Sequence, residues 1–313
     1  MNEYCALVLG VVCAGVGGEL FVRGAVGLAS WARVSPGIIG VTVAAFATSS
    51  PELSVAVNAA LAGKPQITLG DALGSNVVNI ALILALALVI SGIKSPRDSI
   101  KRDFPVALLI PLITGVLCLD GELSRFDGVM MLGMFFIWLA AVIIEVRSQR
   151  STVVKVLGAQ RGWLTVLSCV AGLAALAAAG NLIVAGARGI AISFGLDEFV
   201  IGATIVAVGT SMPELATTLI AKFRGHDDVG LGTILGSNIY NGIFIIAVAA
   251  IITPIPVVWR EVATALAFGF AALALTYPAR DGFIGRRRGV SLLALYAVYL
   301  TFILKHRAGS GLG

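Results

Sequence analysis

One block of this sequence occurs twice, and the second copy constrains the fold more than any other feature. "GVTVAAFATSSPEL" at 40–53 lies over "GATIVAVGTSMPEL" at 202–215, and "LGDALGSNVVN" at 69–79 lies over "LGTILGSNIYN" at 231–241. Both pairs share an offset of 162 residues without a gap, and 17 of the 40 positions in 40–79 are identical in 202–241. Upstream, "GGELFVRGAVGLA" (17–29) matches "AGNLIVAGARGIA" (179–191) in the same register. A shared apolar bias does not produce Thr-Ser-x-Pro-Glu-Leu and Leu-Gly-Ser-Asn-x-x-Asn twice at one spacing. The chain is a duplicated unit.

Each unit is built for lipid. Charged residues make up 12 % of the 313 positions and mean hydropathy is +0.99, against about 25 % charged in a soluble domain. Apolar runs, each of the roughly 20 residues that cross a bilayer, fall near 4–32, 37–62, 67–91, 104–119, 127–146, 162–194, 198–222, 229–252, 259–277 and 289–305. The expected fold is an all-α polytopic membrane protein of ten transmembrane helices. Residues 1–146 form the first five-helix repeat, 147–161 a cytoplasmic connection and 162–313 the second repeat. Five is odd, so the second copy enters the bilayer inverted, as in many secondary transporters with their site between the repeats.

Charge placement agrees. With both termini outside, the inside connections hold 15 Lys and Arg and the outside ones five, the bias expected of cytoplasmic loops. The net charge of +5 thus reads as orientation in a cell membrane rather than as affinity for nucleic acid. Met1 to Glu3 lack a basic leader segment, so the first apolar run reads as a retained helix. Cys5, Cys13, Cys118 and Cys169 sit in apolar runs without metal-ligand spacing.

Against that background the polar cluster "ATSSPE" is expensive. A carboxylate at the bilayer centre costs about 2.5 kcal/mol or more, and this chain places Glu52 and Glu214 at matching positions. Each follows a threonine and a serine by four and three residues, Thr48 and Ser49 or Thr210 and Ser211, spacing that sets the three oxygens on one side of a helix. Pro51 and Pro213 each remove an N–H and open the helix, freeing carbonyls around Ala45–Ala47 and Ala207–Gly209. Such backbone is tolerable at membrane depth only where it lines a cavity.

The following helix of each unit supplies Ser75 and Asn79, or Ser237 and Asn241, with Gly70, Gly74, Gly232 and Gly236 permitting close packing. Asn76 and Asn238 point elsewhere by the helical phase and read as structural. The donor set is carboxylate, hydroxyl, amide and backbone oxygen, which suits a hard cation: Ca²⁺ takes six to eight oxygens, and the neutral oxygens serve Na⁺ equally. The residues alone indicate a transporter of Ca²⁺ or Na⁺.

At these residues the sequence resembles the cation/calcium exchanger superfamily, in particular a minimal prokaryotic form of its Na⁺/Ca²⁺ exchanger branch, whose two α-repeats the quoted segments are similar to. The resemblance implies four central cation sites. Their ligands would be Thr48, Ser49, Glu52, Ser75 and Asn79 from one repeat and Thr210, Ser211, Glu214, Ser237 and Asn241 from the other, with carbonyls near Ala45 and Ala207. It also implies alternating access, the first and sixth helices sliding against the other eight. Departures are Ala47, where the family carries the glycine seen at Gly209, and Asn241, which is Asp in some archaeal-type and K⁺-dependent members. Asn in both repeats speaks against K⁺ cotransport, and the short connection leaves no room for a Ca²⁺-sensing domain.

The expected function is therefore exchange of Na⁺ for Ca²⁺ without enzymatic chemistry or a cofactor, by a monomer with the two ions and the bilayer as its partners. H⁺/Ca²⁺ exchange is the alternative within transport, a cation channel the alternative outside it. Glu19 and Arg23 read as an ion pair or interfacial residues, Arg188 likewise, and Arg286–Arg288 as a topology anchor beside anionic lipid.

Overall fold

A computed structural model describes residues 3–32, 35–97, 99–149, 162–193 and 202–305. Residues 150–161 of the expected connection, Asp197 and Glu198 lie outside the described residues, as does the side chain of Arg188.

The described residues are helical almost throughout. Glu3–Ala32 is one unbroken helix. Pro36–Thr48 and Ser50–Leu61 follow as a pair bent by 41°, then Pro65–Ile90, Phe104–Leu117 and Arg125–Gln149. The second half repeats the plan. It runs through Gly162–Ser193, the short Ala207–Thr210 ahead of Met212–Phe223, Asp227–Ile252, Trp259–Thr276 and Arg286–Lys305. Proline opens several of these helices, at Pro36, Pro51, Pro65 and Pro213, where its missing N–H costs nothing and its fixed φ suits the first turn. Gly63 and Gly225, at φ 73° and 74°, turn the chain between the broken helix and the next one in both halves, a left-handed conformation that favours glycine.

Ten apolar segments are expected from the sequence. Among the described residues, length and composition mark Pro65–Ile90, Arg125–Glu145 and Asp227–Ile252 as helices able to cross a bilayer unaided, and the bent pair as a fourth. They differ in surroundings. The apolar windows of Pro65–Ile90 and Asp227–Ile252 are 78 % and 83 % buried within the protein, that of Arg125–Glu145 only 28 %. The two central helices are a core and the third faces outward.

The halves are stitched by exchange. Two-residue strands pair across them, Ile93 with Ile284 in one ladder and Leu123 with Ile255 in the other. Glu3–Ala32 packs along Gly162–Ser193, its counterpart in the second half. Glu19 pairs with Arg23 at 2.5 Å and also with Arg224 of the second half, which meets the expectation of an ion pair. Arg286, expected as a topology anchor, has a role within the protein. It donates to the carbonyls of Val89 and Ile90, the orphan acceptors at the end of the Pro65–Ile90 helix.

Candidate cation site

The polar residues of both motifs are buried at the centre. Thr48, Glu52, Ser75, Asn79, Thr210, Glu214, Ser237 and Asn241 are each 0 % exposed, and Ser49 and Ser211 no more than 1 %. Ala45 and Ala207 are buried beside them.

Six breaks in regular winding position these groups. The bent helix pauses at Ser49 (φ −83°, ψ 10°) and its counterpart at Ser211 (φ −80°, ψ 7°), each immediately before the proline turn. Five-residue π segments, Gly40–Ala44 and Gly202–Val206, precede the Thr-Ser pairs. Longer ones, Val78–Leu84 and Tyr240–Ile245, contain Asn79 and Asn241. A π turn inserts a residue and is found mostly where function needs it. Close approach is required as well. A Cβ on Gly74 would lie 2.6 Å from the Cα of Ala203, and one on Gly236 would lie 2.5 Å from the carbonyl oxygen of Val41.

The sequence reading set Thr48, Ser49 and Glu52 on one side of a helix opened by Pro51. The bend alters that arrangement: hydroxyls reach the opposite half. Ser49 Oγ donates to Glu214 at 3.1 Å, as does Ser237 Oγ, while Ser211 Oγ donates to Glu52 at 3.4 Å. Thr48 meets Ser237 at 3.5 Å, and Thr210 meets Ser75 at 3.4 Å. The expected opening at the alanine carbonyls also takes a different form. Ala45 O and Ala207 O keep their helical bonds from Ser49 N (3.0 Å) and Ser211 N (3.1 Å). Each accepts a threonine hydroxyl in addition, from Thr48 at 3.5 Å or Thr210 at 3.3 Å.

Five buried polar atoms of these residues are left over. Glu52 Oε2 and Glu214 Oε2 are buried without a hydrogen-bond partner, and so are Asn79 Oδ1 and both polar side-chain atoms of Asn241. An orphaned buried acceptor is costly. Four of these five are oxygens, two from the carboxylates and two from the asparagines, an acceptor set that suits a positive charge. Among the described residues, no Lys or Arg pairs with Glu52 or Glu214.

Asn76 and Asn238 are structural, as their phase indicates. Each donates to the other's main-chain carbonyl at 3.1 Å. Asn79 additionally donates to Asn238 Oδ1 at 3.0 Å.

One residue of the site went unread in the sequence. Asp71 is 1 % exposed and accepts from Thr210 Oγ1 at 3.1 Å and Ser75 Oγ at 3.5 Å. Its counterpart is Thr233, which turns back to donate to Val229 O. Selecting duplicated polar positions passes over an acid present in one copy only. The signal was a lone carboxylate within an apolar run, which by itself marks a functional position.

Comparison with known proteins bears on this geometry. A profile of the sodium/calcium exchanger protein family matches the chain twice, over 3–144 and 164–305. An uncharacterised membrane protein of Methanocaldococcus jannaschii is 32 % identical, with 93 % of this chain and 94 % of that protein aligned. The sodium/calcium exchanger MaX1 of Methanosarcina acetivorans is 25 % identical over 96 % of this chain and 98 % of its own. The solved structure of the sodium-calcium exchanger NCX_Mj soaked with Na⁺ and Sr²⁺ superposes with a TM-score of 0.82 at 31 % identity, covering 96 % of this chain and 98 % of that one.

Proposed function

This chain belongs to the sodium/calcium exchanger family, and from that premise we propose that it is a membrane antiporter exchanging Na⁺ for Ca²⁺ at the Glu52–Glu214 site. It is a transporter of cations rather than an enzyme. The observation that carries the finer reading is the pair of fully buried carboxylates, each with one oxygen accepting from a serine hydroxyl of the opposite half and the other without a partner.

The ligands are Thr48, Ser49, Glu52, Ser75 and Asn79 with Thr210, Ser211, Glu214, Ser237 and Asn241, together with the carbonyls of Ala45 and Ala207. Two carboxylates balance one Ca²⁺, and the surrounding hydroxyl, amide and carbonyl oxygens bring the count into its range of six to eight. The same oxygens, divided among several Na⁺ ions, form an alternative filling. Because both fillings use Glu52 and Glu214, one excludes the other. That exclusion is the coupling.

Alternating access follows from two five-helix repeats of opposite orientation around this site. The reciprocal pairing of the halves, Ile93 with Ile284 and Leu123 with Ile255, supports such a two-fold relationship. The Glu3–Ala32 and Gly162–Ser193 helices, packed on each other, move as one body against the rest. The protein works as a monomer in the cell membrane with both termini outside. NCX_Mj and MaX1 are named as sodium/calcium exchangers, which favours Na⁺ over H⁺ as the driving ion.

The test is Ca²⁺ uptake into Na⁺-loaded proteoliposomes of the purified protein. Uptake driven by an outward Na⁺ gradient is the expected result. Uptake driven by a pH gradient alone, indifferent to Na⁺, would overturn Na⁺ as the driving ion.

A further inference from the structure

The two glutamate-bearing helices differ beyond the glutamate. In Ser50–Leu61 the positions three, four and eight residues after Glu52 are Val55, Ala56 and Ala60, all apolar. The equivalent positions after Glu214 in Met212–Phe223 are Thr217, Thr218 and Lys222. Spacing of three to four residues keeps such groups on one side of a helix. The second half therefore carries a polar stripe from Glu214 to the helix end, about 12 Å long at 1.5 Å per residue.

The stripe is shut in this conformation. Thr217 and Thr218 are buried, and neither hydroxyl has a hydrogen-bond partner. The first half avoids that arrangement. There Thr68 donates to Ala56 O at 3.1 Å, whereas its counterpart Gly230 lies against Thr218 and offers no side chain. A buried hydroxyl without a partner is costly, and wetting the stripe removes that cost. The two threonines thus favour opening.

Lys222 opposes it. Its side chain is only 4 % exposed, and Nζ donates to Gly92 O and to Asp227 Oδ2, each at 3.0 Å. Gly92 follows the Pro65–Ile90 helix and is packed so closely under the Phe283 ring that a Cβ has no room. Asp227 opens the Asp227–Ile252 helix. One ammonium thus ties Met212–Phe223 to the ends of both central helices. The corresponding tie of the first half is neutral, Thr253 Oγ1 donating to Ala60 O at 3.1 Å. A buried ammonium is stable only while such partners hold it, and a four-carbon stem lets it leave for water once they do not.

Resting on the exchanger reading above, we propose that Lys222 is the closing residue of one access route, a polar exit running from Glu214 past Thr217 and Thr218 to the end of Met212–Phe223. While tied to Asp227 and Gly92 O, the ammonium shuts the exit and sets a positive charge against any cation approaching it. On release the charge swings into water, and the two threonine hydroxyls line the way for Ca²⁺ or Na⁺. In the orientation proposed above this exit is the cytoplasmic one. The opposite route, past Ala56 and Ala60, closes on apolar side chains and the neutral Thr253 bond.

Thiol accessibility in the purified protein tests this. Thr218→Cys reports the Lys222 route, and Ala56→Cys, at the same position of the first half, reports the opposite one. Labelling by a small cationic methanethiosulfonate is followed peptide by peptide by mass spectrometry, so the native cysteines stay in place. Adding Lys222→Met, which keeps the bulk and removes the charge, should raise the labelling rate at Thr218→Cys about ten-fold, the effect of losing a hydrogen bond to a charged group. The rate at Ala56→Cys should fall, because opening one route depopulates the conformation open at the other. Asp227→Asn should shift both rates in the same directions and carries the test if Lys222→Met does not fold. Unchanged labelling at Thr218→Cys overturns the proposal. So does a rise there without a fall at Ala56→Cys, which is general loosening. Na⁺-driven Ca²⁺ uptake by the wild type separates the two readings. A protein that exchanges while its reporters ignore Lys222 loses the closing residue alone, and one without uptake fails earlier, at the exchanger reading.

Discussion

Asn76 and Asn238, 162 residues apart, each donate a side-chain N–H to the other's main-chain carbonyl at 3.1 Å. The contact is isologous, since exchanging the halves maps it onto itself, and it sits at the seam where the two central helices meet. Replacing either asparagine by alanine removes a buried side-chain donor from the other's carbonyl and should cost about 1–3 kcal/mol. The double replacement should cost less than the sum, because the orphaned groups belong to one network. Thermal unfolding of the four proteins in detergent measures both effects, and additive losses would show that the two bonds are independent.

Removing charge from the paired carboxylates should stop transport while sparing the fold. Glu52→Gln and Glu214→Gln keep the shape and one acceptor oxygen but leave one carboxylate against Ca²⁺. Each should lower Na⁺-driven Ca²⁺ flux by about 100-fold or more, the loss expected when one of two charged ligands of a hard cation is neutralised. Normal elution on size exclusion with near-wild-type flux would remove the residue from the site.

The serine before each proline acts on the opposite glutamate, and that is separable from a role in its own helix. Ser49→Ala deletes a donor to Glu214, and Ser211→Ala a donor to Glu52. A hydrogen bond to a charged group contributes about 1.5–3 kcal/mol, so each variant should shift apparent Ca²⁺ affinity by roughly ten-fold or more. In a double-mutant cycle, Ser49→Ala should couple to Glu214→Gln and not to Glu52→Gln. Calcium binding by titration calorimetry decides it.

Close approach of the halves depends on Gly74 and Gly236. A methyl group at either position meets backbone of the other half at 2.6 or 2.5 Å, and backbone does not yield as a flexible side chain would. Gly74→Ala and Gly236→Ala should each destabilise by about 1–3 kcal/mol through overpacking. Unchanged melting temperatures would mean that the halves can separate at no cost.

Loss of the ion pairs at Glu19 should change little. Arg23 and Arg224 are 65 % and 50 % exposed there, and exposed pairs are worth about 0–1 kcal/mol. Glu19→Gln should leave thermal stability within that margin and Ca²⁺ flux within about two-fold.

Duplication, a membrane setting and the chemical class of the ligand were all legible in the sequence. A 162-residue register, paired glutamates in apolar runs and an all-oxygen donor set are properties of residue order and type, and each has few physical interpretations. What spacing could not determine was which oxygen meets which. Helical phase assumes 100° per residue, and the π segments at Gly40–Ala44 and Gly202–Val206, with the bend at Ser49, reset that phase just ahead of the ligands. Hydroxyls assigned to their own helix therefore serve the opposite glutamate. Asp71 lay outside the duplicated pattern, because duplication reports only what the halves share. Its place beside Thr210, 139 residues away in the chain, arises from packing one half against the other, and only the tertiary structure brings those two groups together.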